Sequence, residues 1–251
     1  MITTLITTFN RRALCLRLLK SYAKEVKRST AHDGEQHRLI LIDDCSDPNY
    51  VFDLQCALDK HLPGHEATII TCRQNYGKAN YWQLLNVLYA ELQSQGHTDY
   101  IVQLPDDVTL TPRFFAKAKA KLDAIVEFTG PQAGGKVACL NLYRCYRDAQ
   151  WGSGDPQPFI FGRHEVRLTG WVDMCFIAYP RMMEFLNYQL DPIDRLWRMN
   201  PDLGSGVGAQ ISRRLRSRRL TMWQAETSLV IDHGTQPSQM NPKRPYALRT
   251  A

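Results

Sequence analysis

The chain has 251 residues, of which 44% are hydrophobic, and its formal net charge is +6. This length suffices for one large domain with a sizeable core, and we expect a single domain over residues 1–251. No apolar run approaches the roughly 18 to 20 residues that span a bilayer, and the first residues do not read as a signal peptide. We therefore expect a soluble, cytoplasmic protein without stable membrane insertion.

The cysteines argue for the same compartment. They are odd in number, scattered and without a CxxC pair, at Cys15, Cys45, Cys56, Cys72, Cys139, Cys145 and Cys175. Neither a disulfide framework nor a cysteine zinc site is predicted from this spacing. Reduced thiols are typical of a cytoplasm.

The first half of the chain alternates short apolar runs with longer segments of helical period. We predict strands at residues 2–7, 39–43, 67–72 and 100–104, and helices at residues 11–27, 50–61 and 79–95. This alternation is typical of an α/β fold with a mostly parallel sheet flanked by helices.

Polar residues follow each of these four strands. The clusters are Thr8-Phe9-Asn10, Asp44-Cys45-Ser46-Asp47, Arg73-Gln74-Asn75 and Pro105-Asp106-Asp107. In an open α/β sheet, ligands bind at the carboxyl ends of the strands. We expect the four clusters to line one crevice.

The second half is less regular. A helix at residues 112–128, a glycine-rich link at 130–135 and a strand at 136–143 are predicted first. Residues 151–161 then predict a loop or hairpin, followed by a helix from about residue 173 or 179. A basic helix at 207–220 and a strand at 228–232 come next, before an irregular, proline-containing tail or lid over residues 236–251.

Asp106 and Asp107 are the strongest candidates for a metal site. Adjacent carboxylates at a strand end repel each other unless a cation or strong donors neutralise them, and their oxygens suit Mg²⁺ or Mn²⁺ bridging a diphosphate. The alternative is a turn in which an aspartate caps a following helix.

The second and third clusters offer ligands of other kinds. Among Asp43, Asp44 and Asp47, one carboxylate can accept hydrogen bonds from a base or ribose, while Asp47 is expected to cap the next helix. In the segment from Asn75 to Asn80, a glycine allows close backbone approach and a lysine can meet phosphate.

These segments resemble the family 2 glycosyltransferases of the GT-A type. The matching stretches are Thr7-Thr8-Phe9-Asn10-Arg11, Leu41-Ile42-Asp43-Asp44-Cys45-Ser46-Asp47, the Asn75–Asn80 segment and Leu104-Pro105-Asp106-Asp107-Val108. Their order and spacing over roughly the first 110 residues agree with the family, which is more specific than any one motif. The resemblance implies a GT-A catalytic domain, with nucleotide-sugar binding in residues 1–110 and an acceptor side in 111–235.

The resemblance also implies roles for single residues. Thr7, Thr8 and Asp44 would line the base and ribose pocket, Lys78 would lie near the base or diphosphate, and Asn10, Arg11 and Asn75 belong to the donor-binding motifs. Asp106 would reach the ribose or the metal, and Asp107 would bind Mn²⁺ or Mg²⁺. The donor would be a nucleotide-diphosphate sugar, with a UDP-sugar favoured. The first aspartate of the family's DxD motif is replaced by Leu104 or Pro105.

Two further residues are candidates in the second half. Asp173, in a segment similar to the one beneath the acceptor, is a candidate general base, with a helix N-cap as the alternative. Many inverting members carry a Glu-Asp pair before a later helix, and the corresponding residues 204–210 contain no carboxylate. His233 follows a predicted strand and is a candidate metal ligand.

The acceptor is left open by the sequence. It is a glycan hydroxyl, as for most relatives, or a hydroxymethylated base in DNA in a phage-infected host. The arginines between Ser212 and Arg219, with Lys243 and Arg244, suit a diphosphate or a polyanion. A sugar-phosphate nucleotidyltransferase is a further alternative, although it would normally carry a glycine-rich loop after the first strand, and a non-catalytic nucleic-acid-binding protein is another. Oligomeric state is not indicated.

Overall fold

The computed structural model describes residues 1–96, 98–134, 136–143, 158–195, 199 and 206–233. The strands in this part are β1 Ile2–Thr8, β2 His37–Asp43, β3 Glu66–Thr71, β4 Tyr100–Pro105, β5 Val108–Leu110, β6 Val137–Asn141, β7 Phe159–Phe161, β8 His164–Thr169, β9 Phe176–Ala178, β10 Thr221–Ala225 and β11 Val230–Asp232. The helices are α1 Arg12–Asp33, α2 Pro48–His61, α3 Tyr81–Ser94, α4 Phe114–Gly134, α5 Pro180–Phe185 and α6 Val207–Ser217, with a short 3-10 turn at Lys78–Asn80.

The main sheet has nine strands in the order β3-β2-β1-β4-β9-β6-β10-β8-β7. Strands β3, β2, β1 and β4 are parallel neighbours, and β10 is parallel to β6. β9 is antiparallel to both β4 and β6, and β8 is antiparallel to β10 and β7. The prediction of a mostly parallel α/β sheet is therefore confirmed. β5 and β11 form a separate antiparallel pair beside it.

Helices cover both faces of the sheet. On one face, α1, α2 and α4 bury their apolar sides, and on the other face α3, α5 and α6 do the same. In α1 the buried positions Cys15, Leu18, Leu19, Tyr22 and Val26 recur every three or four residues, which is the period of a helix with one apolar stripe. β1 is buried along its whole length because it lies between two strands and two helix layers.

Several predictions of the second half need correction. The predicted link at 130–135 is wrong over 130–134, because α4 continues to Gly134; glycine and proline are weak priors that a preceding helix can override. The predicted helix from residue 173 or 179 begins at Pro180, after strand β9, which pattern reading missed. The tail at 236–251 and residues 144–157 lie outside the described part.

Two expectations on composition can be compared with the structure. No helix in the described ranges is both long enough and apolar enough to cross a membrane. Five of the described cysteines, Cys15, Cys45, Cys56, Cys72 and Cys139, carry free thiols.

Candidate functional site

The carboxyl ends of β1, β2 and β4 meet at one edge of the sheet. Thr8 ends β1, and its carbonyl accepts a hydrogen bond from the amide of Asp44, which follows β2, at 3.0 Å. The Thr8 hydroxyl donates to Asp106 Oδ2 at 2.9 Å. Thr8 thus links the acidic cluster after β2 to the acidic pair after β4, as the predicted crevice requires.

The loop after β1 is tied to the loop after β2 by Asn10. Its amide donates to Ser46 Oγ at 2.8 Å, and its side-chain oxygen accepts from the Asp47 amide at 3.3 Å. Asp47 caps α2, as predicted, because its carboxylate accepts the amide of Asn49 at 2.8 Å. Asn10 has a positive φ of 49°, a conformation that asparagine tolerates better than most other residues.

Asp44 holds the segment that carries Lys78. It is 1% exposed, and its two carboxylate oxygens accept the amides of Tyr76 at 2.7 Å and Gly77 at 3.0 Å. The side chain of Asn75 donates to the Asp44 carbonyl at 3.0 Å. Gly77 has φ 58°, and an added Cβ would lie 3.1 Å from Asn75 Oδ1, so this turn requires glycine. Lys78, half-buried, follows directly.

Asp106 and Asp107 form the turn between β4 and β5, and Arg11 forms ion pairs with both. Arg11 Nη1 lies 3.1 Å from Asp106 Oδ1 and 2.8 Å from Asp107 Oδ2. No helix follows the pair, so the helix-cap alternative is wrong. Burial raises the pKa of Asp106 to about 6, while the charge of Arg11 and the bond from Thr8 limit the rise.

Two tyrosines that sequence reasoning missed support the threonines of β1. Thr7 shares a hydrogen bond of 2.9 Å with the hydroxyl of Tyr81, and Thr8 shares one with the hydroxyl of Tyr50. Tyr81 directly follows the Asn75–Asn80 motif. Burial raises the pKa of Tyr81, as do the charges of Asp106, Asp173 and Asp44. Carboxylates from both halves of the chain therefore affect the pKa of the Tyr81 hydroxyl.

Asp173 lies in a loop before β9, and its position is fixed by Asn141. Asn141 ends β6; its side-chain oxygen accepts the Asp173 amide at 3.2 Å, and its NH₂ group donates to the carbonyl of Trp171 at 2.8 Å. One Asp173 oxygen accepts the amide of Met174 at 2.7 Å. The next helix, α5, begins at Pro180 with Tyr179 as its N-cap residue. The alternative in which Asp173 is a helix N-cap is therefore wrong.

The start of α6 is packed against this loop without space for a side chain. A Cβ on Gly208 would lie 2.4 Å from the carbonyl oxygen of Val172 and 3.0 Å from the ring of Trp171. The Val172 amide donates to Ser212 Oγ at 2.8 Å, which holds helix and loop together. Position 208 therefore cannot hold a side chain without a shift of helix or loop.

The backbone of His233 lies beside that of Asp107. Strand β11 pairs with β5, and the His233 amide donates to the Asp107 carbonyl at 2.7 Å. His233 Nε2 shares a hydrogen bond of 2.9 Å with Thr109 Oγ1. The backbone thus brings His233 and Asp107 together, while the imidazole also contacts Thr109.

The arginines of α6 lie away from the carboxylates. Helix α6 runs from the loop of Val172 towards the start of β10, which is the edge of the sheet opposite Asp106 and Asp107. Arg214 donates to the carbonyls of Leu186 and Gln189 and therefore anchors the segment after α5. Arg214 is thus engaged by this segment and not by the aspartate pair, and Lys243 and Arg244 lie outside the described residues.

Comparisons with known proteins agree on the fold. No protein-family model matches the sequence, and a search of curated proteins finds no match. Among solved structures, TarS 1–349 from S. aureus matches 91% of this chain with a TM-score of 0.58 and 13% identity. GalNAc-T7, solved with UDP, GalNAc and Mn²⁺, matches 96% with a TM-score of 0.59 and 13% identity.

A third match is the mannosyltransferase PcManGT from Pyrobaculum calidifontis, solved with GDP-Man and Mn²⁺, with a TM-score of 0.51, 13% identity and 92% of this chain covered. All three are glycosyltransferases of the GT-A type. The chain has the GT-A fold. It spans 59% of TarS 1–349, 56% of PcManGT and 46% of GalNAc-T7, so each of these chains is longer.

The donor atoms at this edge of the GT-A sheet suit a divalent cation that is shared with a ligand. The described residues include no group of three or more His, Cys, Asp or Glu side chains placed to hold a metal. Mg²⁺, however, is commonly held by one or two carboxylates and completed by substrate phosphates and water. Asp106 and Asp107 provide such a pair, with His233 adjacent, so the residues fit a metal that binds together with a diphosphate.

Proposed function

We propose that this protein is a glycosyltransferase that moves a sugar from a nucleotide-diphosphate sugar to an acceptor hydroxyl. The observation that carries the proposal is the meeting of the Asp44 cluster and the Asp106–Asp107 pair at one edge of a GT-A sheet, where Thr8 links them within 3.0 Å. Ligands of open α/β sheets bind at this edge. The GT-A neighbours that were solved with UDP or GDP-Man support the same class of donor.

The donor side is assigned to the first half of the chain. Thr7 and Thr8 line the base and ribose pocket, and Asp44 acts by holding the turn at Asn75 and Gly77. That turn presents Lys78, whose ammonium group suits a phosphate oxygen. A UDP-sugar is the donor to test first.

We assign Mn²⁺ or Mg²⁺ to Asp107, with Asp106 and His233 beside it. When bound, such a cation stabilises the negative charge that develops on a departing diphosphate. Asp107 is the more accessible carboxylate of the pair, with 15% of its side chain exposed against 7% for Asp106. Asp106 instead accepts the Thr8 hydroxyl and the Arg11 guanidinium, which orient it.

Asp173 is assigned as the general base for the acceptor hydroxyl. The assignment is supported by the effect of its charge on Tyr81, whose pKa is raised by burial and by the charges of Asp106, Asp173 and Asp44. Asn141 accepts a hydrogen bond from the Asp173 amide, which fixes the backbone that carries the carboxylate. Gly208 leaves no space for a side chain at its own position in α6, and we assign the base to Asp173 in the adjoining loop.

A saccharide hydroxyl is the acceptor we favour. A hydroxymethylated base in DNA is the alternative, and the exposed α6 arginines, which would suit a polyanion, lie at the opposite edge of the sheet from the aspartates. Duplex DNA and simple saccharides can each be added as competitors in the transfer assay. The one that inhibits transfer identifies the class of acceptor.

Replacement of Asp107 tests the proposal. Asp107→Asn should reduce sugar transfer or donor hydrolysis with Mn²⁺ by at least about 100-fold, because the charge that holds the cation is removed. Asp59→Asn is the matched control, since Asp59 is exposed on α2 and accepts a hydrogen bond from Gln55. A wild-type protein inactive with every nucleotide sugar tried, or an Asp107→Asn variant as active as wild type, would contradict the proposal.

A further inference from the structure

Arg11 is enclosed by the two carboxylates that we assign to the cation. Its side chain is 18% exposed, and those of Asp106 and Asp107 are 7% and 15% exposed. One nitrogen, Nη1, contacts both carboxylates, at 3.1 Å and 2.8 Å. A guanidinium held in this way is a bound counter-ion, unlike a solvated surface ion pair, which contributes little.

Both carboxylate oxygens of Asp106 already accept hydrogen bonds. Oδ2 accepts the Thr8 hydroxyl at 2.9 Å and the Phe9 amide at 3.5 Å, and Oδ1 accepts Arg11. Asp107 Oδ2 also accepts Arg11. A cation that bound Asp106 Oδ1 or Asp107 Oδ2 would therefore compete with Arg11 for these oxygens.

The charges explain why Arg11 would leave. With Arg11 in place, two aspartates and one arginine carry one net negative charge, which repels a diphosphate. With a divalent cation in place, the aspartates are neutralised and the guanidinium is released towards the ligand. Arginine binds phosphate through paired, charge-assisted hydrogen bonds, so the diphosphate replaces the partners that Arg11 loses. Arg11 precedes α1 directly, and its long side chain can make this change without movement of the helix.

We propose that Arg11 is a displaceable counter-cation that makes the divalent cation and the nucleotide diphosphate bind cooperatively. The cation alone binds weakly because Arg11 gives up two ion pairs without replacement. The diphosphate alone binds weakly because the cluster remains negative. Each ligand therefore raises the affinity for the other by the same factor. The inference rests on the proposed function, since it assumes a diphosphate ligand at this edge.

The first experiment measures Mn²⁺ affinity calorimetrically without nucleotide. Arg11→Met should bind Mn²⁺ at least about tenfold more tightly than wild type, because no ion pair has to be broken. Arg12→Met is the matched control: it removes the same charge one residue away, where Arg12 pairs with Asp53 and is 59% exposed, and it should leave Mn²⁺ affinity nearly unchanged. Arg11→Lys keeps the positive charge but loses the planar guanidinium group. Its Mn²⁺ affinity should lie between those of wild type and Arg11→Met, and this variant replaces Arg11→Met in the experiment if Arg11→Met does not fold.

The second experiment repeats the titration with saturating UDP or GDP, corrected for the Mn²⁺ that the free nucleotide binds. The nucleotide should raise Mn²⁺ affinity at least about tenfold in wild type and clearly less in Arg11→Met. An Arg11→Met protein that binds Mn²⁺ no more tightly than wild type would overturn the proposal. If Arg11→Met binds Mn²⁺ more tightly but wild type binds no nucleotide, the coupling and the proposed function fail while displacement of Arg11 stands.

Discussion

Single residues at this site serve different purposes although they look alike in sequence. Asp44 and Asp106 are both buried carboxylates at strand ends, yet Asp44 binds two backbone amides and Asp106 binds a hydroxyl and a guanidinium. The motif alone predicted that both residues belong to the crevice. It did not predict what each one contacts, because such contacts depend on loops that are brought together only by the fold.

His37 is a buried residue whose protonation should limit stability in acid. It is 7% exposed, its ring lies 4.4 Å from that of Phe115, and neither ring nitrogen has a hydrogen-bond partner among the described residues. Burial, together with the charges of His65 and of the amino terminus, lowers its pKa to about 4. The folded state therefore favours neutral His37.

The resulting pH dependence has a definite sign. The stabilising effect of a neutral His37 is fully present above its unfolded pKa of about 6.5 and is lost as the pH falls towards 4. Between pH 7 and pH 4, wild type should lose about 3 kcal/mol more unfolding free energy than His37→Phe. Urea unfolding at a series of pH values measures this. Equal losses in the two proteins would disprove the explanation, and His32→Gln, at an exposed position, is the control.

At the scale of elements, the contact between α6 and the Trp171–Asp173 loop decides the architecture of the acceptor side. Pattern reading predicted the helix well, but neither β9 nor the close approach of helix and loop was foreseen. β9 has only three residues, Phe176–Ala178, and a short apolar run cannot be told from a helix by periodicity. The close approach depends on Gly208, and its role can be recognised only when its neighbours in space, Val172 and Trp171, are known.

Gly208→Ala tests this contact. The added methyl group would meet the Val172 carbonyl at 2.4 Å, so helix or loop must shift. Overpacking of this kind typically costs about 1 to 3 kcal/mol of unfolding free energy, and we expect a melting temperature lower by several degrees.

Gly170→Ala is the matched control for that substitution. Its Cβ would meet only Arg216, at the ordinary distance of 3.8 Å. Its melting temperature should therefore stay close to that of wild type. Equal melting temperatures for Gly208→Ala and wild type would show that the contact is looser than the structure indicates.

At the scale of the whole molecule, the parallel half of the sheet was predictable and the rest was less so. The strands β1, β2 and β4 are buried apolar runs and β3 is a partly exposed edge strand, and the helices between them are amphipathic, which is a strong local signal. In contrast, β9 inserts antiparallel between β4 and β6, and this pairing joins residues distant in sequence. The same distance in sequence explains why Tyr81 and Asn141, whose contacts lie across the sheet, were not identified as parts of the site.

The central claim is that the edge carrying Asp44, Asp106 and Asp107 binds a nucleotide diphosphate together with a divalent cation. The most direct measurement is the melting temperature of the protein with UDP, GDP, CDP or ADP, each with Mn²⁺ and with a chelator. We predict a rise with one nucleotide that disappears with chelator, corresponding to about 2.7 kcal/mol at a ligand concentration 100 times its Kd. No rise with any nucleotide and Mn²⁺ would contradict the claim.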